Sequence, residues 1–181
     1  MAIYYSDGGN SSSGRVVQVA QDIGDGEDSG SETSFTNTGL IDLQFANAVT
    51  SGNKVLLRLE FGMGEQYNNC WAQHGLFTVY CDTDGNVGNS GLGMCGGWVS
   101  GSGTANSEMQ YGYQRMSGSI LYTPTTTTPR YRMYRRRINC SWTMVVGSAY
   151  HSSSNYNSGR TILTAMEITA WLIKLGKLEM L

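Results

Sequence analysis

A chain of 181 residues with 40% hydrophobic and only 14% charged residues, 24 glycines and two prolines is long enough to bury one sizeable core. This composition excludes a coiled coil, a highly charged disordered chain and collagen, and fits short strands joined by Gly, Ser, Asn and Thr turns. A formal net charge of -2 predicts no general affinity for nucleic acid, and no apolar run approaches the roughly 20 residues of a membrane helix, so no membrane insertion is expected.

Residues 1–14 turn small and polar after Ile3, Tyr4 and Tyr5 and read as a flexible N-terminal arm. They show neither the basic nor the apolar region of a signal peptide, so secretion is not expected. Residues 15–181 read as a single β-sandwich domain. A first strand runs from Arg15 to Ala20, with Val16 and Val17 on opposite faces. Gln21 to Ser34 then gathers Asp22, Asp25, Glu27, Asp28 and Glu32 among glycines and serines. Clustered carboxylates repel and stay in water, so a solvated loop is expected. A cation site, or a surface that meets arginines of a neighbouring subunit, is the sharper reading.

Leu40 to Phe45 alternates, with Ile41, Leu43 and Phe45 inward and Asp42 and Gln44 outward. Lys54 to Phe61 does the same with Val55, Leu57, Leu59 and Phe61 against Lys54, Arg58 and Glu60. The turn residues Ser51, Gly52 and Asn53 between them predict that the two strands are neighbours. Gly75 to Cys81 is a further strand, closed by the Asp-Gly turn of Asp82 to Asn86. Asp82, Asp84 and Asn86 copy the first ligand positions of an EF-hand loop, but the sixth position holds Val87 and the twelfth Gly93, so a hairpin is predicted. The glycine-rich stretch that follows reads as a compact loop pinned by Trp98. Met109, Tyr111 and Tyr113 mark one strand face, and Ile120 and Tyr122 the next. Pro124 and Pro129 bracket a loop or sheet edge.

Arg130 to Arg137, R-Y-R-M-Y-R-R-R, holds five of the chain's 12 basic residues. If extended, Arg130, Arg132 and Arg136 share a face with Tyr134, while Tyr131 and Met133 point the other way. Interleaved Arg and Tyr could track phosphates, but the acidic net charge and absence of a recognised motif argue against nucleic acid. A protected edge strand or a subunit contact is expected instead. The contact predicted is inter-subunit or with other virion proteins, through Arg130, Arg132, Arg135, Arg136 and Arg137, with the acidic segment Asp22 to Glu32 as the source of carboxylates. Trp142, Met144 and Val146 form another apolar face. In the last strand, Arg160 to Ile168, Ile162, Met166 and Ile168 oppose Leu163 and Ala165. Both faces are apolar, which predicts a central strand or one packed on another subunit, and so a homotrimer or other closed oligomer. Residues 169–181 fit either a continued strand or a short helix.

Cys70, Cys81, Cys95 and Cys140 allow three disulfide pairings. Without a signal peptide or a dense cysteine framework, reduced buried thiols are expected. No C-x-x-C occurs and His74 and His151 lack ligand spacing, so no metal or cofactor is expected.

Two stretches carry a resemblance. Residues 1–19, M-A-I-Y-Y-S-D-G-G-N-S-S-S-G-R-V-V-Q-V, resemble the start of small structural proteins in phages of marine cyanobacteria. The closing R-T-I-L-T-A-M-E-I resembles the final strand of the β-sandwich in phage fibre, receptor-binding and capsid-decorating domains, and Ser117 to Pro124 looks like a recurring mid-domain segment of that class. The resemblance implies a jelly-roll-like antiparallel sandwich, often trimeric, with no catalytic residues to transfer. It implies a non-enzymatic virion subunit, a tail fibre or capsid decoration assembled in the host cytoplasm, with host-surface glycan as a candidate partner. The alternatives are a carbohydrate-binding receptor-recognition module and, less favoured, a glycan-cleaving enzyme. No serine lies in G-x-S-x-G, and paired carboxylates would have to come from Glu60, Glu65, Asp82 and Glu108.

Overall fold

The computed structural model describes residues 14–26, 28–66, 73–88, 93–99, 113–139, 143–147 and 160–169. Through them run β1 (Val16–Gly24), β2 (Asp28–Gly30), β3 (Thr36–Gln44), β4 (Lys54–Gln66), β5 (Gln73–Cys81), β6 (Gly85–Asn86), β7 (Cys95–Val99), β8 (Tyr113–Tyr122), β9 (Arg130–Asn139), β10 (Thr143–Val146) and β11 (Thr161–Ile168). The described residues contain no helix, and every strand pairing is antiparallel. The expected all-β antiparallel sandwich is the architecture found.

The larger sheet is built on β4, whose alternation made it the clearest strand in the sequence. Residues 54–60 pair with β11 and 63–66 with β10 along one edge, while 55–64 pair with β8 along the other. β1 lies outside β11, and β2 outside β10. In the smaller sheet β9 is flanked by β3 and β5, and β6 and β7 pair with the far edge of β5. Val55, Leu57, Leu59, Phe61 and Met63 of β4 are fully buried against Ile41, Leu43, Phe77, Val79, Tyr131 and Met133 of the opposite sheet. The rings of Phe61 and Phe77 meet across the interlayer space at 4.4 Å. Burying side chains of this size contributes about 1.5–3 kcal/mol each before chain entropy is counted. At the far end of the core the Tyr122 and Tyr131 hydroxyls, one from each sheet, hydrogen-bond at 3.0 Å.

Several expectations hold at residue level. Asp82–Asp84 form the predicted hairpin turn, pairing Cys81 with Gly85, and Gly85 takes the positive φ of 72° that only glycine adopts without strain. Residues 123–129 leave the ladder. β11 buries Leu163 and Ala165, leaves Ile162, Met166 and Ile168 half-exposed, and lies between β1 and β4.

Other expectations fail, for a common reason. β3 and β4 are not paired neighbours: the 50–53 turn, closed by Asn53 N–H to Thr50 O at 3.0 Å, carries the chain from one sheet to the other. β9 is not an edge strand but the middle of the smaller sheet. The acidic segment is not a plain solvated loop, because β1 continues to Gly24 and Asp28–Gly30 pairs with β10. Local pattern fixes which face a residue takes, whereas the hydrogen-bonded partner of a strand is decided by the other strands available. The expectations for residues 1–13, Met109, Tyr111, Cys70, Cys140, Trp142, the 151–159 loop and the tail after Thr169 fall outside the described residues, as do the side chains of Met144 and Trp98.

Candidate functional site

The pleat divides the arginine strand. Tyr131, Met133 and Arg135 point into the sandwich, and Arg130, Arg132, Tyr134 and Arg136 point away from it. The five arginines predicted to form one contact are therefore not equivalent. Arg135 is only 2% exposed and is used inside the chain: its Nε binds Asp28 Oδ2 and its Nη1 donates to Glu32 Oε2 at 2.6 Å. β9 and β2 belong to different sheets, so this guanidinium ties the two layers together. Burial works against the charged guanidinium, but the hydrogen bonds to Asp28 and Glu32 outweigh it and raise its pKa. The same bond from Arg135 holds the Glu32 carboxyl below its usual range. Gly30 makes room for the arrangement, since a Cβ there would strike the guanidinium and the Glu32 carboxylate together. One arginine of the run, Arg135, thus meets the acidic segment within the chain.

Arg137 follows Arg135 on the inward parity and donates its backbone N–H to Glu32 O at 2.8 Å. Two of the outward arginines, Arg130 and Arg132, find carboxylates in the chain too. Arg130 pairs with Asp42, whose carboxyl it holds below its usual range. Arg132 reaches Asp82 Oδ1 at 2.7 Å and Asp42 Oδ1 at 3.6 Å. Register explains the contacts: in one cross-strand row Asp42 of β3 and Tyr80 of β5 both lie directly across from Arg132 of β9, and Asp82, two residues beyond Tyr80, is its diagonal neighbour.

Beside that row stands an aromatic cluster that the sequence reading did not assemble. Tyr80 and Tyr134 stack with centroids 4.0 Å apart and planes 25° from parallel. Phe35 tilts against Tyr80 at 6.2 Å and carries the Arg136 guanidinium 5.0 Å from its centroid. All three rings are half-exposed on the outer face of the smaller sheet. Parity gave the signal for two of them, since Val79 and Cys81 face inward and leave Tyr80 outward. The juxtaposition with Tyr134 needed the β5–β9 pairing.

The outer face of the larger sheet is different. Val19, Met166, Leu56 and Leu121 are successive partners across β1, β11, β4 and β8, forming one apolar row. Leu121 is 48% exposed, and a second row begins with Ile23, 41% exposed, opposite Ile162. Next to the first row Arg58 and Glu60 pair at 2.7 Å.

Of the carboxylates considered for glycan cleavage, the two described side chains are not brought together: Glu60 binds Arg58 on the larger sheet and Asp82 binds Arg132 on the smaller. The Glu65 side chain and Glu108 lie outside the described residues, as do the His74 side chain and His151. Among the described residues no three His, Cys, Asp or Glu side chains converge as metal ligands. Cys81 and Cys95 are free thiols, and burial pushes Cys95 up to about 12. No protein-family model matches the chain, and no curated protein matches it.

Proposed function

We propose that this chain is a non-enzymatic structural subunit of a phage virion, a tail-fibre or capsid-decorating piece with a jelly-roll-like winding, which assembles with further copies of itself. The observation that carries the assembly reading is the apolar row of Val19, Met166, Leu56 and Leu121 across the outer face of the larger sheet. A contiguous apolar row on an outer sheet face favours a protein partner. A second copy suits it because the adjoining charges, Arg58 and Glu60, are of both signs and already paired, so two such faces meet without like-charge repulsion. Covering half-exposed side chains of this kind supplies about 1 kcal/mol each. The virion assignment rests on the resemblance of residues 1–19 and 160–168 described above.

Sedimentation of the full chain at micromolar concentration tests the assembly. A closed oligomer, a trimer first among the candidates, is expected for the wild type and a folded monomer for Leu56→Lys with Leu121→Lys. A wild-type monomer overturns the reading. Antibody labelling of purified cyanophage particles tests the location, with label on fibres or capsid faces expected and unlabelled particles contrary to it.

A further inference from the structure

Asp-Gly pairs occur in the chain at Asp7 and Gly8, Asp25 and Gly26, and Asp84 and Gly85. The second and third lie among the described residues, in opposite circumstances. In such a pair the side-chain carboxyl easily reaches the next backbone nitrogen, because glycine puts no Cβ beside it and leaves the backbone free to turn. We propose that the Asp25–Gly26 link is a site of spontaneous backbone modification, converting to isoaspartate through a succinimide, while the fold protects Asp84 and Gly85. The inference is independent of the assembly reading and uses none of the residues on which that reading stands.

The reaction needs only water. The Gly26 nitrogen attacks Cγ of Asp25 in its carboxylic acid form: the N–Cγ bond forms, the nitrogen gives up its proton, and the carboxyl's hydroxyl leaves as water. Hydrolysis of the ring at Cγ restores aspartate. Hydrolysis at the Asp25 backbone carbonyl instead leaves the chain running through Cγ, longer by a methylene, and turns the former backbone carbonyl into a free carboxylate.

Position decides which pair reacts. Asp25 and Gly26 stand outside the strands, between Gly24 at the end of β1 and Asp28 at the start of β2, and both are exposed. A Cβ built on Gly26 would meet only the tip of the Leu40 side chain within 4 Å, at 3.2 Å, so the described residues leave room for the ring to close. The Asp25 carboxylate pairs with Arg160 at 2.8 Å, but the two side chains are 69% and 66% exposed, and such a pair opens at little cost. At Asp84 the carboxylate is gripped from one residue: its two oxygens accept from the Thr125 backbone N–H at 3.4 and 3.2 Å, and Oδ1 also accepts from the Thr125 hydroxyl. Gly85 is meanwhile held in the ladder opposite Cys81. Those bonds must break before the Asp84 carboxyl can turn onto the Gly85 nitrogen, which slows closure there by about tenfold or more.

Conversion at residue 25 reaches further into the fold. It displaces the carboxylate that pairs with Arg160, and it lengthens the chain just before Asp28, which lies opposite Val146 and binds the buried Arg135. The longer link loosens the hold of β2 on that arginine.

Incubation of the full chain at pH 6 and 37 °C, followed by peptide mapping with electron-transfer fragmentation, tests the proposal. Isoaspartate is expected to accumulate at residue 25 about tenfold or more faster than at residue 84, and at similar rates at the two sites in guanidinium. Gly26→Ala should suppress the product at residue 25, and Thr125→Val should raise it at residue 84 alone. The converted fraction should unfold at a lower urea concentration than fresh protein. Absence of isoaspartate at residue 25, or equal rates at the two sites in the folded chain, overturns the proposal, as does a rate at residue 84 that Thr125→Val leaves unchanged. A urea midpoint unaltered by conversion overturns its extension to β2.

Discussion

Gln18 and Glu167 face each other across the β1–β11 ladder, and the Gln18 amide donates to Glu167 Oε2 at 2.6 Å inside the sandwich. The other carboxylate oxygen accepts from the Asn53 amide at 2.6 Å and from the Thr50 backbone N–H at 2.8 Å. Glu167 is wholly buried, and it fastens the turn that takes the chain from the smaller sheet into β4. Gln18 also donates to Asn47 O at 3.3 Å, on the same connection.

Removing that carboxylate takes the acceptor from three donors, the Asn53 and Gln18 amides in buried bonds and the Thr50 backbone N–H in a part-buried one. Glu167→Ala is therefore expected to cost about 3 to 5 kcal/mol in urea unfolding. Glu167→Gln keeps the shape and one accepting oxygen but aims an amide N–H₂ at other donors, for a loss of about 1 to 3 kcal/mol. If Glu167→Ala costs less than Glu167→Gln, the carboxylate does not hold the turn.

Arg135 is the second buried charge, and its two carboxylates engage different nitrogens. Lysine has one ammonium and cannot reproduce the fork. Arg135→Lys and Arg135→Met should both destabilise the chain, the latter by about 3 to 5 kcal/mol, because Asp28 loses its partner where water is scarce. Gly30→Val should act on the same contact from the other side, by filling the space through which the guanidinium passes. Combining Gly30→Val with Arg135→Met should cost distinctly less than the sum of the two alone, and full additivity would show that the two positions are not coupled.

Acid should weaken the fold through Glu32 and Asp42. Both carboxyls are held below their ordinary values of 4.5 and 3.8 by hydrogen bonds, from Arg135 and Arg130 respectively. In this range the unfolded chain binds more protons than the folded one, so stability rises with pH. The contribution is complete above about pH 5 and is lost as pH falls through the lowered folded values. Urea midpoints should be flat from pH 8 to 5 and decline below 4, with a smaller decline in 1 M salt, since both carboxylates are partly in water. A midpoint that improves on acidification contradicts the pairing.

Cys95 gives a chemical readout. With its pKa pushed up to about 12 by burial, the thiolate fraction at pH 8 is on the order of 10⁻⁴, and Cys81 is buried in the core. Neither should react with iodoacetamide in the folded protein at pH 8, and both should react at once in 6 M guanidinium. Peptide mapping distinguishes the two sites, and rapid native labelling of Cys95 would mean that its surroundings open.

The period-two alternation of Ile41, Leu43 and Phe45, and of Val55, Leu57, Leu59 and Phe61, determined the all-β class and the core face of those strands. A side chain's direction in a strand depends only on its place in the pleat. The Asp-Gly turn at Asp84 and Gly85 was equally legible, because positive φ is a local demand. Parity even contained the inward position of Arg135, two residues beyond Met133, but the usual placement of charge at the surface hid it. Tertiary structure alone decided that β9 pairs with β3 and β5, which brings Asp42 and Asp82 to the outward arginines and Tyr80 against Tyr134. It alone decided that Asp28 and Glu32 meet Arg135 across the two sheets, and that Gln18, Asn53 and Glu167 converge although 149 residues separate the first from the last. Such contacts depend on which strands find each other, and each strand's own sequence is compatible with many partners until the whole core is closed.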